Sequence, residues 1–256
     1  MSESRLYRGD NLAALSDIEA GGVQLVVTSP PYNVGYDYRD GGAGDSLPLP
    51  EYLHMLGRTL AHLQIVLKTG GVLALNVPQT IRTAHHRAYP LASVIAAQLL
   101  LPMGWLLREP IVWVKATDGV TPTASTTAFG APTNPYARPV HEMVLLASKE
   151  TYSVAGMSNE WGVADYLEAT KDVWVLPPGR RSGAGQPLAF PEALVARLIG
   201  LFSSPGDVVL DPWAGTGTTG KVARAYGREA WLIEREPGYW PMLEAVVLQA
   251  ALPGVA

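Results

Sequence analysis

Five residues near the amino terminus, Thr28-Ser29-Pro30-Pro31-Tyr32, follow directly on an apolar, β-branched run, VQLVV. Two adjacent prolines fix φ and carry no N–H, so the turn is stiff and its carbonyl groups stay free as acceptors. The Ser29 hydroxyl and the Pro30 carbonyl can together accept both hydrogens of an aromatic amine. Held in that way, the nitrogen lone pair, otherwise delocalised into the ring, turns towards an electrophile such as a methyl donor. A hydroxyl is no general base at neutral pH, so Ser29 reads as an acceptor and positioner. Tyr32 adds a flat face on which an extruded base can stack, worth about 1–3 kcal/mol per base, comparable with the cost of unstacking it. Taken alone, the pentapeptide also permits a bland reading in which Pro-Pro-Tyr merely ends a strand.

A second constellation, VVLDPWAGTGTTGKVA, puts a glycine-rich turn straight after a strand and at the start of a helix. Gly215, Gly217 and Gly220 satisfy the G-x-G-x-x-G spacing, a weak signal on its own. A nucleoside-triphosphate loop would need a hydroxyl after Lys221, and Val222 stands there, so that reading fails at a required atom. Glu234 lies about 20 residues on, where an acid accepts hydrogen bonds from ribose hydroxyls, as in dinucleotide sites. Asp211 and Pro212 precede the loop. A carboxylate at that strand end suits a cationic amino-acid moiety and is poorly placed beside a pyrophosphate. The helix amino terminus can then hold that moiety's carboxylate. These features favour S-adenosylmethionine over a nicotinamide dinucleotide, and the turn could also form without any ligand.

Composition narrows the chemistry. The 256 residues include no cysteine, which removes disulfides, thiolate metal sites and thiolate nucleophiles together. Methylation at cytosine C5, which adds a thiol to the ring, is thereby excluded, as are the zinc deaminases. No metal site is expected. With 48% hydrophobic residues, the chain can bury a sizeable core. The polar start MSESRLYRGD is unlike a signal peptide, and the apolar stretch LASVIAAQLLLPMGW is too short to span a bilayer. A cytoplasmic location is expected. The net charge of −4 argues mildly against a nucleic-acid partner. Two local basic clusters, Arg82 with His85, His86 and Arg87, and Arg180 with Arg181, are candidate phosphate contacts or solvated loops.

The elements that must position these loops are legible as alternating strands and helices. VQLVV is a buried strand, and Leu53, Leu56, Leu60, Leu63 and Leu67 recur at helical spacing from Glu51 to Lys68. Gly70 and Gly71 are expected to end that helix before the strand VLALNV. A helix from Leu91 to Leu101 precedes the strand IVWVK, and residues 116–139 read as a long loop. HEMVLLASK is another strand; His141 and Glu142 at its start read as structural more often than catalytic. Residues 150–190 are expected to hold little regular structure. The helix PEALVARLIGLF, the strand VVL, the glycine-rich loop and its helix, the strand EAWLIE and a last helix complete the chain. The pattern is that of a doubly wound, mostly parallel α/β sheet.

Taken together, the two loops resemble those of the amino-methylating DNA methyltransferases in which the catalytic loop precedes the cofactor loop, the β class. Four further stretches are similar. Gly9-Asp10-Asn11 resembles the motif that approaches the cofactor's adenine, and IVWVK, with Trp113 and Lys115, resembles the strand flanking the target-base pocket. HEMVLLASK resembles the strand before the target-recognition region. PLAFPEALVARLIGLFSSPGDVVLDPWAGTGTT resembles the helix-strand-loop unit that holds the cofactor, with Phe190 packing on it. Relatives often begin that unit with His-Pro, whereas this chain has Gln186-Pro187, so no catalytic role is carried over there.

The resemblance implies one methyltransferase domain over residues 1–256: a Rossmann-like, seven-stranded, mostly parallel sheet with one antiparallel strand, in circularly permuted order. A target-recognition insertion is expected at roughly 116–185. S-adenosyl-L-methionine is the implied cofactor, held by Asp10, Asn11, Thr28, Phe190, Asp211, Pro212, Gly215, Thr216, Gly217, Thr218 and Glu234. Ser29, Pro30, Pro31 and Tyr32 form the implied catalytic loop, and Trp113, Lys115, Asn134, Arg82, Arg180 and Arg181 are candidates for substrate contact. Double-stranded DNA is the implied substrate, and a homodimer and a cognate restriction endonuclease are implied partners. Serine at the head of the loop resembles the cytosine-N4 enzymes and aspartate the adenine-N6 enzymes, so cytosine N4 is the favoured acceptor and adenine N6 the alternative. A nicotinamide-dependent oxidoreductase is a more distant alternative that leaves Ser-Pro-Pro-Tyr unexplained. A DNA-binding module without catalysis and methylation of RNA or protein are further readings.

Overall fold

Every residue of VQLVVT is buried, as expected of a strand covered on both faces by helices. The computed structural model describes residues 3–35, 45–82, 88–115, 139–154, 157, 161–179 and 190–248. In chain order the elements are β1 (Arg5–Arg8), α1 (Asn11–Ser16), β2 (Val23–Thr28), α2 (Leu49–Val66), β3 (Leu67–Val77), β4 (Ile81–Arg82) and β5 (Ala88–Tyr89). Then follow α3 (Leu91–Val94), continued by a π-helical turn at Ile95–Leu100, β6 (Leu106–Leu107), β7 (Ile111–Val114) and β8 (His141–Ser148). The chain closes with α4 (Val163–Ala169), β9 (Val173–Val175), α5 (Glu192–Phe202), β10 (Val208–Asp211), α6 (Thr218–Ala225), β11 (Glu229–Glu234) and α7 (Trp240–Leu248).

The main sheet runs β1-β11-β10-β2-β3-β8-β7-β9. All neighbours along this path are parallel except β8, which runs against both β3 and β7. The expected seven strands with one reversed are therefore present, and β9 at the edge and the short β6 beside β8 extend the sheet to nine. Strand alternation divides the core. Leu73, Leu75 and Val77 of β3 face the layer with Leu56, Leu60 and Leu63 of α2, whereas Val72 and Ala74 face the layer with Leu194 and Leu198 of α5.

Three local expectations are corrected. The helix of residues 51–68 stops earlier, at Val66, and β3 begins at once with Leu67. The glycine pair instead serves a register shift between β2 and β3. Gly70 adopts φ +79°, and a Cβ there would lie 2.5 Å from the Ser153 carbonyl oxygen, so the close approach requires glycine. Residues 150–190, expected to be irregular, contain α4 and β9; a three-residue strand around the buried Trp174 is too short for periodicity to reveal. Within the 116–185 range, β8 and β9 are strands of the main sheet. No described helix is long and apolar enough to cross a membrane.

The chain moves from β2 to β3 in one direction across the sheet and from β10 to β11 in the other, so the β10–β2 boundary is a topological switch point. The loops after β2 and β10 leave neighbouring carboxyl ends there, where open α/β sheets bind ligands.

Candidate active site

The loops after β1, β2, β10 and β11, together with the first residues of the reversed strand β8, enclose one cleft of about 460 Å³. Its cofactor-like half is built around Asp211 at the end of β10. Only 2% of Asp211 is exposed, and burial raises its carboxyl from the usual value of 3.8 to about 6. The Thr28 hydroxyl donates to its Oδ1 at 2.7 Å and the Trp213 N–H at 3.1 Å. These bonds oppose the burial effect without cancelling it. Among the described residues no cationic side chain pairs with Asp211.

Glu234 closes the same half from β11. Its Oε2 accepts the Gly215 N–H at 2.7 Å and its Oε1 the Glu236 N–H at 2.7 Å. One lone pair of Oε2 thus fixes the glycine-rich loop and one of Oε1 the turn after β11, and a second lone pair on each oxygen remains for a ligand hydroxyl. Gly217 caps α6 with φ +83° and no side-chain bond; a Cβ there would meet Leu243 Cδ2 at 2.6 Å. Asp10, Asn11, Phe190, Pro212, Gly215, Thr216 and Thr218 line the cleft, whereas Thr28 and Gly217 lie behind its wall. The Asp10 carboxylate is engaged as the cap of α1, accepting from Leu12 N–H at 3.0 Å and Ala13 N–H at 3.3 Å.

The other half is organised by the proline turn. The hydroxyl of the buried Tyr52 donates to the Pro31 carbonyl at 2.9 Å, while no described residue donates to the Pro30 carbonyl. Beyond the turn, Asn33 at φ +60° is held by the buried Asp45, whose Oδ1 accepts its N–H at 2.7 Å. Ser29 Oγ donates to the Tyr32 hydroxyl at 2.7 Å, and Tyr32 donates to Glu142 Oε2 at 3.2 Å. The Asn76 amide donates to both, at 2.8 Å to Tyr32 and 2.6 Å to Glu142. Lys115 pairs with Glu142 Oε1 and places its ammonium 4.8 Å from the Trp113 ring centroid. Burial and the Glu142 carboxylate push the Tyr32 phenol well above its usual value.

Donors and acceptors in this network match in one direction. Tyr32 receives protons from Ser29 and Asn76 and gives its own to Glu142. The Ser29 proton points inward, to the Tyr32 hydroxyl at 2.7 Å with the Asn76 carbonyl as a second acceptor at 3.3 Å, and the lone pairs of its oxygen stay open to a donor in the cleft. Asn76 Oδ1 is buried without a hydrogen-bond partner.

Ser29, Pro30, Pro31, Tyr32, Trp113 and Lys115 all line the cleft. Trp113 is largely core, 3% exposed, with its indole N–H bonded to the Leu176 carbonyl at 2.9 Å. Arg82 belongs to the small β4–β5 ladder, which is not part of the main sheet, and its side chain, Asn134, Arg180 and Arg181 lie outside the described residues. Sequence reasoning passed over Asn76 and Tyr52 and read Glu142 as structural. Asn76 had a signal, as the one polar residue within the run VLALNV. Tyr52 had none, because it sits among the apolar positions of α2.

With the site in view, comparison with known proteins is direct. A family model described as DNA methylase, of the N6 and N4 type, matches residues 23–245. The type II methyltransferase M.XycI of Xanthomonas campestris pv. cyanopsidis is 30% identical over 271 residues, covering 92% of this chain and 85% of the relative. The DNA adenine methyltransferase YhdJ of Escherichia coli K12 is 28% identical, covering 93% of this chain and 80% of its own. A solved structure from Thermus thermophilus, assigned as a DNA modification methylase and complexed with S-adenosyl-L-methionine, has a TM-score of 0.73 at 26% identity. It covers 99% of this chain and 100% of its own. The chain belongs to the DNA methylase family of N6 and N4 amino-methyltransferases.

Proposed function

We propose that the protein transfers a methyl group from S-adenosyl-L-methionine to the exocyclic N4 of a cytosine flipped out of double-stranded DNA. The observation that carries the choice of an amino acceptor is the inward direction of the Ser29 proton, towards Tyr32 and the Asn76 carbonyl, which leaves the Ser29 oxygen as an acceptor at the cleft beside the Pro30 carbonyl, to which no described residue donates. Serine rather than a carboxylate at this position supports cytosine N4; adenine N6 is the competing reading.

The described residues fit the cofactor. Asp211 is a buried carboxylate without a cationic partner, as an ammonium group requires. Glu234 keeps a lone pair per oxygen for the ribose hydroxyls, and α6 begins without a side-chain cap, leaving its first N–H groups for a carboxylate. The cofactor supplies an electrophilic sulfonium methyl group. Ser29 and the Pro30 carbonyl accept the amino hydrogens and orient the lone pair, and the Tyr32 ring supports the flipped base. Trp113 and Lys115 flank that base, and the 116–185 stretch, with Asn134, and the Arg82, Arg180 and Arg181 side chains take up the DNA. One domain, a cytoplasmic location, a homodimer and a cognate restriction endonuclease complete this reading.

With no cysteine in the chain, attack is direct. On duplex DNA carrying 5-fluorocytosine, which traps enzymes that add a thiol at C6, labelled methyl groups should enter the DNA without a denaturation-resistant protein–DNA adduct. Such an adduct would overturn the proposal.

A further inference from the structure

Methylation leaves a positive charge on the amino nitrogen, and one of its two protons must depart. The first acceptor is the Ser29 oxygen, and the network behind it is a continuous path. Ser29 Oγ stands 2.7 Å from the Tyr32 hydroxyl, which stands 3.2 Å from Glu142 Oε2. We propose that this proton leaves the cleft along a relay from Ser29 through Tyr32 to Glu142, moving as the methyl group arrives. The proposal rests on the reading of Ser29 as an acceptor of the amino hydrogens.

The step balances in atoms and electrons. The methyl–sulfur bond breaks with its electron pair left on sulfur, and the amino nitrogen forms the new bond to carbon. As that bond forms, an N–H bond breaks, its electrons returning to nitrogen, and the proton goes to Ser29 Oγ. Ser29 gives its own proton to Tyr32, and Tyr32 gives its own to Glu142, which becomes a neutral carboxylic acid. Because Tyr32 gains one proton as it loses another, it passes through no phenolate, which its buried position disfavours. Asn76 keeps the path aligned by donating to both Tyr32 and Glu142. Lys115 balances the carboxylate's charge in the resting protein. The side chains of Glu142 and Lys115 retain 11% and 29% exposure, so the proton can pass on to water at the cleft margin.

In this relay Ser29 touches the substrate, and Tyr32 and Glu142 act through it. The test is single-turnover methylation of unmethylated genomic DNA, in H2O and D2O, by wild type, Tyr32→Phe, Glu142→Gln and Glu142→Ala. Tyr32→Phe keeps the stacking ring and Glu142→Gln keeps the hydrogen-bonding shape. Each should still slow transfer by about a hundredfold, the lower end of the range for losing a proton-transfer group, with unchanged cofactor and DNA affinity. The wild type should show a solvent isotope effect with a curved proton inventory, which the two variants lose. Formate should partly restore Glu142→Ala. Transfer within twofold of wild type in both variants overturns the relay while leaving the methyltransferase reading in place. Slowing that comes from weaker binding, or with the isotope effect retained, also overturns it. A wild type that yields no N-methylated base overturns both readings.

Discussion

The Thr28 hydroxyl donates to the Asp211 carboxylate across 2.7 Å, although 183 residues separate them in the chain. Thr28 is the last residue of β2 and Asp211 the last of β10, and the two strands are neighbours at the switch point of the sheet. One bond thus ties the base of the proline turn to the base of the glycine-rich loop.

The first prediction concerns Asp211. Its carboxyl is raised to about 6 by burial, so in the free protein it holds a proton more tightly than in the unfolded chain. Its contribution to stability is full below pH about 4 and is lost as pH rises through about 6. A cationic ligand favours the ionised form, so the sign for binding is opposite. Affinity for S-adenosylmethionine should rise about tenfold per pH unit below 6 and level off above it. Isothermal titration across this range should show it, with Asp211→Asn binding more weakly and with a flat profile. A wild-type affinity independent of pH between about 5 and 7 would speak against this role for Asp211.

A second prediction separates loop positioning from cofactor binding. Tyr52→Phe removes the bond that holds the Pro31 carbonyl while preserving the buried ring. Stability should fall by about 1 kcal/mol, the typical worth of such a bond, measured by urea unfolding. Turnover should fall more than that loss alone would suggest, because small displacements of reacting groups are costly. Cofactor titration should match the wild type.

Gly217→Ala tests the cofactor loop. The new Cβ meets Leu243 2.6 Å away and must adopt φ +83°, a strain of about 1–3 kcal/mol. Leu243 belongs to α7 and is fully buried, so the clash should lower the melting temperature and displace Gly215 from Glu234. Cofactor affinity should drop accordingly. Wild-type affinity in this variant would show that the loop does not set the site.

Both loops were legible in the sequence because each joins a short apolar, β-branched run to residues of unusual backbone freedom, Pro30 and Pro31 restricted in one and Gly215 and Gly217 permissive in the other. The parallel order followed from the alternation of strands and helices. Glu142 was not legible as a site residue. In a parallel strand, a residue at the start lies on the edge opposite the cleft; only the reversal of β8, a tertiary fact, brings Glu142 to the carboxyl ends of β3 and β7. Tyr32 was legible as a stacking ring, and from that role alone Tyr32→Phe is expected to retain much activity. The bonds of its hydroxyl to Ser29, Asn76 and Glu142 revise that expectation.

Methylation of a base amino group leaves a product that can be weighed. The measurement is to incubate the protein with unmethylated genomic DNA and isotopically labelled S-adenosylmethionine, digest the DNA to nucleosides, and separate them by mass spectrometry. Wild type should yield labelled N4-methylcytosine, and Ser29→Ala should lose that product while keeping its cofactor affinity. Label found only in N6-methyladenine would refute the choice of base, and label in 5-methylcytosine or in no nucleoside would refute the site itself.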